Sequence, residues 1–454
     1  MELTSPDNNL PLPPGPQWHR FIDGFRMSPP NYLLKLFHEY GDVLRFRGFF
    51  DVYCINHPEY VKQVLTKAWP EYSKNTIDYK VISSTLGKGL VTNDGPDWAK
   101  QRRLMQPVFS SRNVNQFDTP INAMAEALAE RWATQDAAEA RFIDRDMSRI
   151  TFQVVSRTLF GADIDEVADE MVEILEQLNQ HPLQFSAIMT MFPRIPLPSN
   201  RRFLKTKARL DEIVDGLVRM HRDGGGTEGD IVDRLLKARD EETGEQMDET
   251  QMRDEIITLM LAGHETSATA LTWTFYLLSQ NPEVEARLCA ELDEVLGGRA
   301  ATSADLADLP YLKQVVQESM RVYPPVWGIA RRSTEESEFG GFRIPADSYI
   351  AITSYVLHRH PEFWPDPERF DPDRFAPQNG QSRHSYAYLP FAAGPRACIG
   401  ASMAMLETQL ILARLIQQFT LRPLSGHPIQ HEAVVTLKTK HGMPMHISPR
   451  AGAA

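Results

Sequence analysis

Between residues 58 and about 325, apolar positions recur three and four apart, the spacing that lines one face of a helix, and proline and glycine clusters interrupt the run. Three stretches break from that period and read as strands. Residues 42–56 place Val-Leu-Arg-Phe-Arg and Asp-Val-Tyr-Cys-Ile-Asn around a turn. Residues 338–355 carry Gly340-Gly341 as a hairpin turn, and residues 433–447 read as paired strands. Two helices stand out: one over about 252–279, closed by Asn281-Pro282, and one from 401 to about 418. Residues 193–200 form a proline-rich connector after the apolar run 185–192, and 223–229 a glycine loop. The pattern predicts a mainly α fold with a minor β portion drawn from both ends of the chain. Residues 1–16, polar and proline-rich, read as a flexible surface arm, and 17–454 as one domain of two lobes.

Composition narrows the function. The chain has 454 residues, 42% hydrophobic and 24% charged, enough to bury a large core. Its formal net charge of −12 argues against nucleic acid as the main partner. Cys54, Cys289 and Cys398 are too widely spaced for a disulfide framework or a thiolate-rich metal site, which suits a reducing compartment. No apolar run approaches the roughly 18 residues of a membrane span, and no signal-peptide pattern opens the chain. A cytoplasmic protein without a membrane span is expected.

Four clusters carry candidate chemistry. The densest is Phe391-Ala-Ala-Gly394-Pro-Arg396-Ala-Cys398-Ile-Gly400, just before the second long helix. A helix N-terminus favours a thiolate at Cys398 over a thiol, Gly394 and Gly400 permit close approach and sharp turns, and Phe391 offers the sulfur an apolar cover. Such a loop suits one thiolate held against a metal. In the middle of the first long helix stands Ala262-Gly263-His264-Glu265-Thr266-Ser267. A mid-helix glycine costs up to ~1 kcal/mol against alanine and needs a reason, such as a flat ligand packed on the backbone. Thr266 can bind a backbone carbonyl and open the turn, and an acid beside a hydroxyl can relay protons. His264 has no partner histidine at i+4, so helix packing or solvent explains it better than a metal. Third, Glu318 and Arg321 lie one turn apart, and Arg369 downstream is positioned to complete a buried Glu–Arg–Arg network. Fourth, Trp98 and Arg102 form an i, i+4 pair able to meet one carboxylate. Each has a plainer explanation by itself: a buried cysteine, a helix contact at Gly263, or an amphipathic helix surface.

Together the four resemble the cytochrome P-450 family over essentially the whole chain from Pro13 onward. Its cysteine-loop pattern is met by Phe391, Gly394, Arg396, Cys398 and Gly400, and its oxygen-activation pattern by Ala262, Gly263, Glu265, Thr266 and Ser267. The resemblance implies a mostly helical P-450 fold with haem b between the long central helix and the cysteine-ligand helix. Cys398 would be the iron ligand, and Trp98, Arg102 and Arg396 would bind the propionates. A further arginine about ten residues beyond Arg321 falls on Arg331, with Arg332 the second choice and His358 a weaker one. The implied activity is insertion of one atom of dioxygen into a C–H bond of a lipophilic substrate, a fatty acid, terpenoid or steroid-like molecule. Electrons would come from a ferredoxin or flavodoxin-type donor with its reductase, docked against a basic patch of Lys100, Arg102 and Arg103. Met189, Met191 and Phe192 are pocket-roof candidates, and Ala262, Val326 and Leu437 further pocket candidates. A peroxygenase or haem-thiolate isomerase is the alternative enzyme, although neither needs the Glu265–Thr266 pair. A non-catalytic haem sensor is the alternative from another class.

Overall fold

A computed structural model describes residues 10–17, 20, 28–48, 50–67, 69–161, 170–171, 173–175, 177–178, 198–380 and 382–451. At its centre lies the long helix Glu249–Gln280, three residues longer at its start than the apolar period suggests. Asp248 caps it by accepting the Gln251 N–H, and Asn281 ends it before Pro282 begins the next helix. Most of its side chains are buried, so it is a core element and not a surface one. Its principal neighbour is the helix Ile143–Phe160. The cysteine helix Ala401–Gln418 packs on the helix Asp118–Ala133 and on the long helix. Leu410, Ile411, Leu412 and Leu415 of that helix are fully buried in the core that all these helices share.

The main sheet has five strands: β1 Val43–Phe46, β2 Val52–Ile55, β3 Tyr72–Ser73, β4 Ile329–Ser333 and β5 Tyr349–Ile352, in the order β1-β2-β5-β4-β3. β2 and β5 run parallel and every other pair is antiparallel. Gly340-Gly341 does turn a hairpin, between Ser337–Phe339 and Phe342–Ile344. The C-terminal zone divides in two. His431–Ala433 pairs with Leu437–Thr439, whereas Pro444–Pro449 pairs with Phe419–Pro423 and with Arg141–Phe142. The β portion therefore draws on the middle of the chain as well as both ends.

Two boundary expectations are corrected. Residues 11–15 are no free arm: the Pro14 carbonyl accepts from Arg45 N–H and the Pro11 carbonyl from Arg343 N–H, which ties the segment to the sheet. A Cβ at Gly15 would come within 2.0 Å of the Arg45 carbonyl oxygen, so only glycine allows this approach. Pro198, Ser199 and Asn200 of the expected connector open the helix Pro198–Arg222. The run 185–192 lies outside the described residues. Among the described residues no helix is long and apolar enough to cross a membrane.

Candidate active site

The cysteine loop is held from both sides. Cys398 N–H donates to the Phe391 carbonyl at 2.9 Å and Ala397 N–H to Gly394 at 3.0 Å. Gly394 has φ +73° and a Cβ there would sit 2.0 Å from the Leu65 carbonyl oxygen, so this position admits glycine alone. Gly400 differs: its φ of −88° suits any residue, and a Cβ there would enter open space. Phe391 is half-buried against the core beneath the cysteine helix. Cys398 is exposed although protein atoms crowd it, the mark of an internal cavity. Burial pushes its thiol up, against the Gly400 N–H and the Arg102 guanidinium. The Gly400 N–H and the Arg102 guanidinium both act toward the thiolate, as expected of this position, and a coordinated metal ion would complete the deprotonation.

Ala262 is exposed in the middle of an otherwise buried helix, so it faces open space inside the molecule. Thr266 shares that face and donates to the Ala262 carbonyl at 2.6 Å. At Gly263 a Cβ would meet Val155 Cγ2 at 3.1 Å, a close contact with the neighbouring helix of the kind the plainer of its two explanations requires. His264 is a packing residue, as expected: its Nε2 meets Ser148 Oγ at 2.8 Å, its ring lies edge-on to Phe152, and burial lowers its pKa to about 4. Glu265 turns toward the hairpin His431–Ala433/Leu437–Thr439, accepting from Thr436 Oγ1 at 2.9 Å and pairing with Lys438 Nζ at 2.6 Å.

Beside the cysteine loop the fold gathers cations. Arg396 donates to the Tyr72 carbonyl at 2.7 Å, pairs with Asp94, and lies over the rings of Trp98 and Trp69. Arg331 is buried and donates to Tyr79 Oη at 3.0 Å, whereas Arg332 is spent on Asp347 at the surface. Of the two, only Arg331 is buried. A third cation, Lys74, belongs to no motif, and only the tertiary structure reveals it. Burial drives its pKa well down, and Arg331 and Arg396 push in the same direction. Arg396 Nε is buried without a hydrogen-bond partner. Asp94 pairs with Arg396 and accepts the Lys74 N–H, and with Glu255 it is one of two acids acting on Lys74, so Arg331 and Arg396 are left with basic capacity that carboxylates would satisfy. Arg102 donates to the Ala397 carbonyl at 2.7 Å, pinning the tryptophan helix Gly95–Met105 to the cysteine loop.

Behind this site Glu318 and Arg321 form a bidentate pair, 2.7 and 2.8 Å, with both side chains fully buried. The third member is Arg374, whose Nε stands 3.4 Å from Glu318. Arg369 is exposed and contributes only its carbonyl, which accepts from Arg321 at 3.1 Å. His358 is likewise corrected. Its Nε2 accepts from Leu389 N–H at 2.8 Å, its Nδ1 faces the Arg321 carbonyl, and burial lowers its pKa to about 3. A neutral histidine with both nitrogens engaged cannot bind a carboxylate as a cation. Leu437 is fully buried against Tyr32, Leu36 and Tyr355, so it is core and not pocket lining. Val326 is half-buried beside the hairpin tip, where the exposed large apolar residue is Val435. Met189, Met191 and Phe192 lie outside the described residues. The basic patch is spent internally: Lys100 pairs with Glu245, Arg103 with Asp240 and Glu242, and Arg102 points inward.

One buried acid has no sequence signal at all. Glu407, on the cysteine helix, has its pKa raised to about 8 by burial, with Ser267 of the long helix opposing. Glu255 is raised to about 8 by burial as well. These groups set a stability profile. The two acids bind protons more tightly folded than unfolded, so their contribution is lost as pH rises from 4.5 toward 8. His264 and His358 bind protons less tightly folded, so stability is lost as pH falls below 6.5. The two pairs offset each other between 4.5 and 6.5, and each titrating group adds a slope of about 1.4 kcal/mol per pH unit outside that window. A pH series of thermal unfolding midpoints checks this. His264→Gln and His358→Gln should flatten the acid side, and an unchanged slope in both would refute the assignment.

The sequence profile of the family described as Cytochrome P450 matches residues 12–444. Cyclooctatin synthase of Streptomyces melanosporofaciens is 35% identical over 417 residues, covering 90% of this chain and 89% of the relative. Cyclooctat-9-en-7-ol 5-monooxygenase of the same organism is 35% identical over 400 residues, covering 87% of this chain and 86% of the relative. Pentalenene oxygenase of Streptomyces avermitilis is 30% identical over 429 residues, with 93% and 94% covered. The crystal structure of the cytochrome P450DA heme domain superposes with a TM-score of 0.87 at 26% identity, covering 97% of this chain and 98% of that one. The chain belongs to the cytochrome P450 family. Its class is haem-dependent monooxygenase, and its fold is the family's mainly helical one with small sheets.

Proposed function

We propose that this enzyme inserts one oxygen atom into a C–H bond of an unsaturated, hydrocarbon-rich terpenoid, over a haem held by Cys398. The observation that carries the site is the exposure of Cys398, in the loop that enters the cysteine helix, and of Ala262, on the long helix that packs against that helix. The residues present fit the group: Cys398 as iron ligand, Arg331, Arg396, Lys74 and Arg102 with Trp98 around the propionates, and open space at Gly400. When bound, a haem with a thiolate ligand supplies activation of dioxygen through heterolytic O–O cleavage. The protein does the rest. Thr266 presents a hydroxyl to the open face, Glu265 exchanges protons, and the apolar surroundings exclude bulk water. The substrate class rests on relatives named for cyclooctat-9-en-7-ol and pentalenene, both unsaturated carbon skeletons. Val326 and Ala262 are assigned to the substrate pocket. Electrons arrive one at a time from a separate ferredoxin or flavodoxin-type protein, docked elsewhere than on the neutralised patch around Lys100. The compartment we assign is the cytoplasm.

The test is an optical titration of the haem-loaded ferric protein with cyclic terpenes, fatty acids and steroids. A blue-shifted Soret band with terpenes alone supports the class; a shift with fatty acids or steroids alone replaces it. Thr266→Ala is expected to leave haem content and substrate affinity unchanged while diverting electrons to peroxide. Peroxide formed per NADPH with surrogate donor proteins measures this, and wild-type coupling in that variant removes Thr266 from proton delivery.

A further inference from the structure

A polar cavity of about 100 Å³ lies along a different face of the long helix from Ala262 and Thr266. Asp144, Ser148, His264, Glu265, Thr269 and Lys438 are among the residues lining it, and a polar space of this size takes in water. His264 Nδ1 is buried there without a hydrogen-bond partner. Glu265 is fixed at the edge of this cavity by two residues of one hairpin, through Thr436 Oγ1 at 2.9 Å and Lys438 Nζ at 2.6 Å. The same hairpin is bonded on its other side to the segment that carries Val326. Leu437 N–H donates to the Pro325 carbonyl at 2.9 Å, and Trp327 Nε1 donates to the Val434 carbonyl at 2.8 Å. Trp273 of the long helix adds a bond to the Leu437 carbonyl at 2.7 Å.

We propose that Thr436 and Lys438 are positioning residues for Glu265, holding its carboxylate on the cavity side so that the placement of the hairpin governs proton delivery. The inference rests on the reading of Glu265 and Thr266 as the proton-delivering pair. A glutamate on a rigid helix moves only by its own torsions, and a charge-assisted bond from the partly exposed Lys438 ammonium to this buried carboxylate, with the Thr436 hydroxyl beside it, restrains them. One backbone bond and one indole bond tie residues 437 and 434 to the Pro325–Trp327 segment, and Lys438 follows next along the same strand. A substrate that presses on Val326 or Val435 therefore moves the ammonium that holds the acid.

Lys438→Met, Lys438→Arg, Thr436→Val and Glu265→Gln test this in the haem-loaded enzyme with surrogate donors. Lys438→Met is expected to raise peroxide per NADPH several-fold and to enlarge the solvent deuterium isotope effect, with Lys438→Arg restoring both. Hydrogen exchange at the amides of 434–438 in the substrate-free protein should quicken in Lys438→Met, a readout independent of turnover. If Lys438→Met fails to retain haem, Thr436→Val decides by the same measurements, since it removes only one hydroxyl. Wild-type coupling, isotope effect and exchange in these variants, while Glu265→Gln impairs coupling, would overturn the positioning role alone. A silent Glu265→Gln would instead bring down the proton-pair reading beneath it.

Discussion

Replacing Cys398 with serine is expected to abolish both the haem–thiolate spectrum and oxygenation, while leaving the helical fold in place. The side chain is exposed and serine is close to it in size, so the exchange removes the sulfur while keeping the loop's backbone bonds. A serine hydroxyl stays protonated where a soft thiolate is needed, and the electron donation that favours O–O cleavage goes with it. The effect on rate should be near total, because no neighbouring described residue offers a second thiolate: Cys54 and Cys289 are buried elsewhere. Far-ultraviolet circular dichroism should match the wild type, and the ferrous carbon monoxide spectrum should lose its thiolate signature. A wild-type spectrum in this variant would show that Cys398 is not the ligand.

Arg321→Ala is expected to cost about 3–5 kcal/mol and to leave little folded protein, since it strands a buried carboxylate. Glu318 would keep only the Asp371 N–H at 2.9 Å and Arg374 at 3.4 Å. Burial already pushes the Glu318 carboxyl up against the pull of Arg321, so this pair fixes position more than it adds net stability. What it fixes is the return path of the chain. Arg321 donates to the carbonyls of His358 and Arg369, and His358 in turn takes the Leu389 N–H two residues before Phe391. Arg374→Ala should therefore destabilise by more than Arg369→Ala, whose exposed side chain holds nothing the network uses. Denaturant midpoints for the two variants check the order. Equal losses would restore Arg369 to the network.

The chemistry was legible wherever it depends on a short stretch of chain. Five residues within ten around Cys398, and an acid beside a hydroxyl at 265–266, are local patterns whose spacing carries their meaning. The family followed from them, and the helical class and the two central helices from the apolar period. What the sequence concealed was partner choice. Arg369 and Arg374 both stand in proline-rich text with similar flanks, and only the path of the loop decides which reaches Glu318. Lys100 and Arg103 read as a free basic patch because Asp240, Glu242 and Glu245 lie some 140 positions away. His358 and Leu437 fail as site residues for a related reason: burial is a property of the assembled fold.

The same division holds for the whole protein. The sequence by itself determined the helix periods, the glycine at 394 that a left-handed turn and a close carbonyl demand, and the cysteine that a metal requires. Each of these is set by covalent geometry or by a side chain's intrinsic chemistry. The tertiary structure alone decided that Arg396 pairs with Asp94, that Lys74 lies near Arg331 and Arg396, and that Lys438 and Thr436 hold Glu265. Those depend on segments up to some 320 residues apart meeting in a low-dielectric interior, where distance and desolvation, and not order along the chain, set the energy.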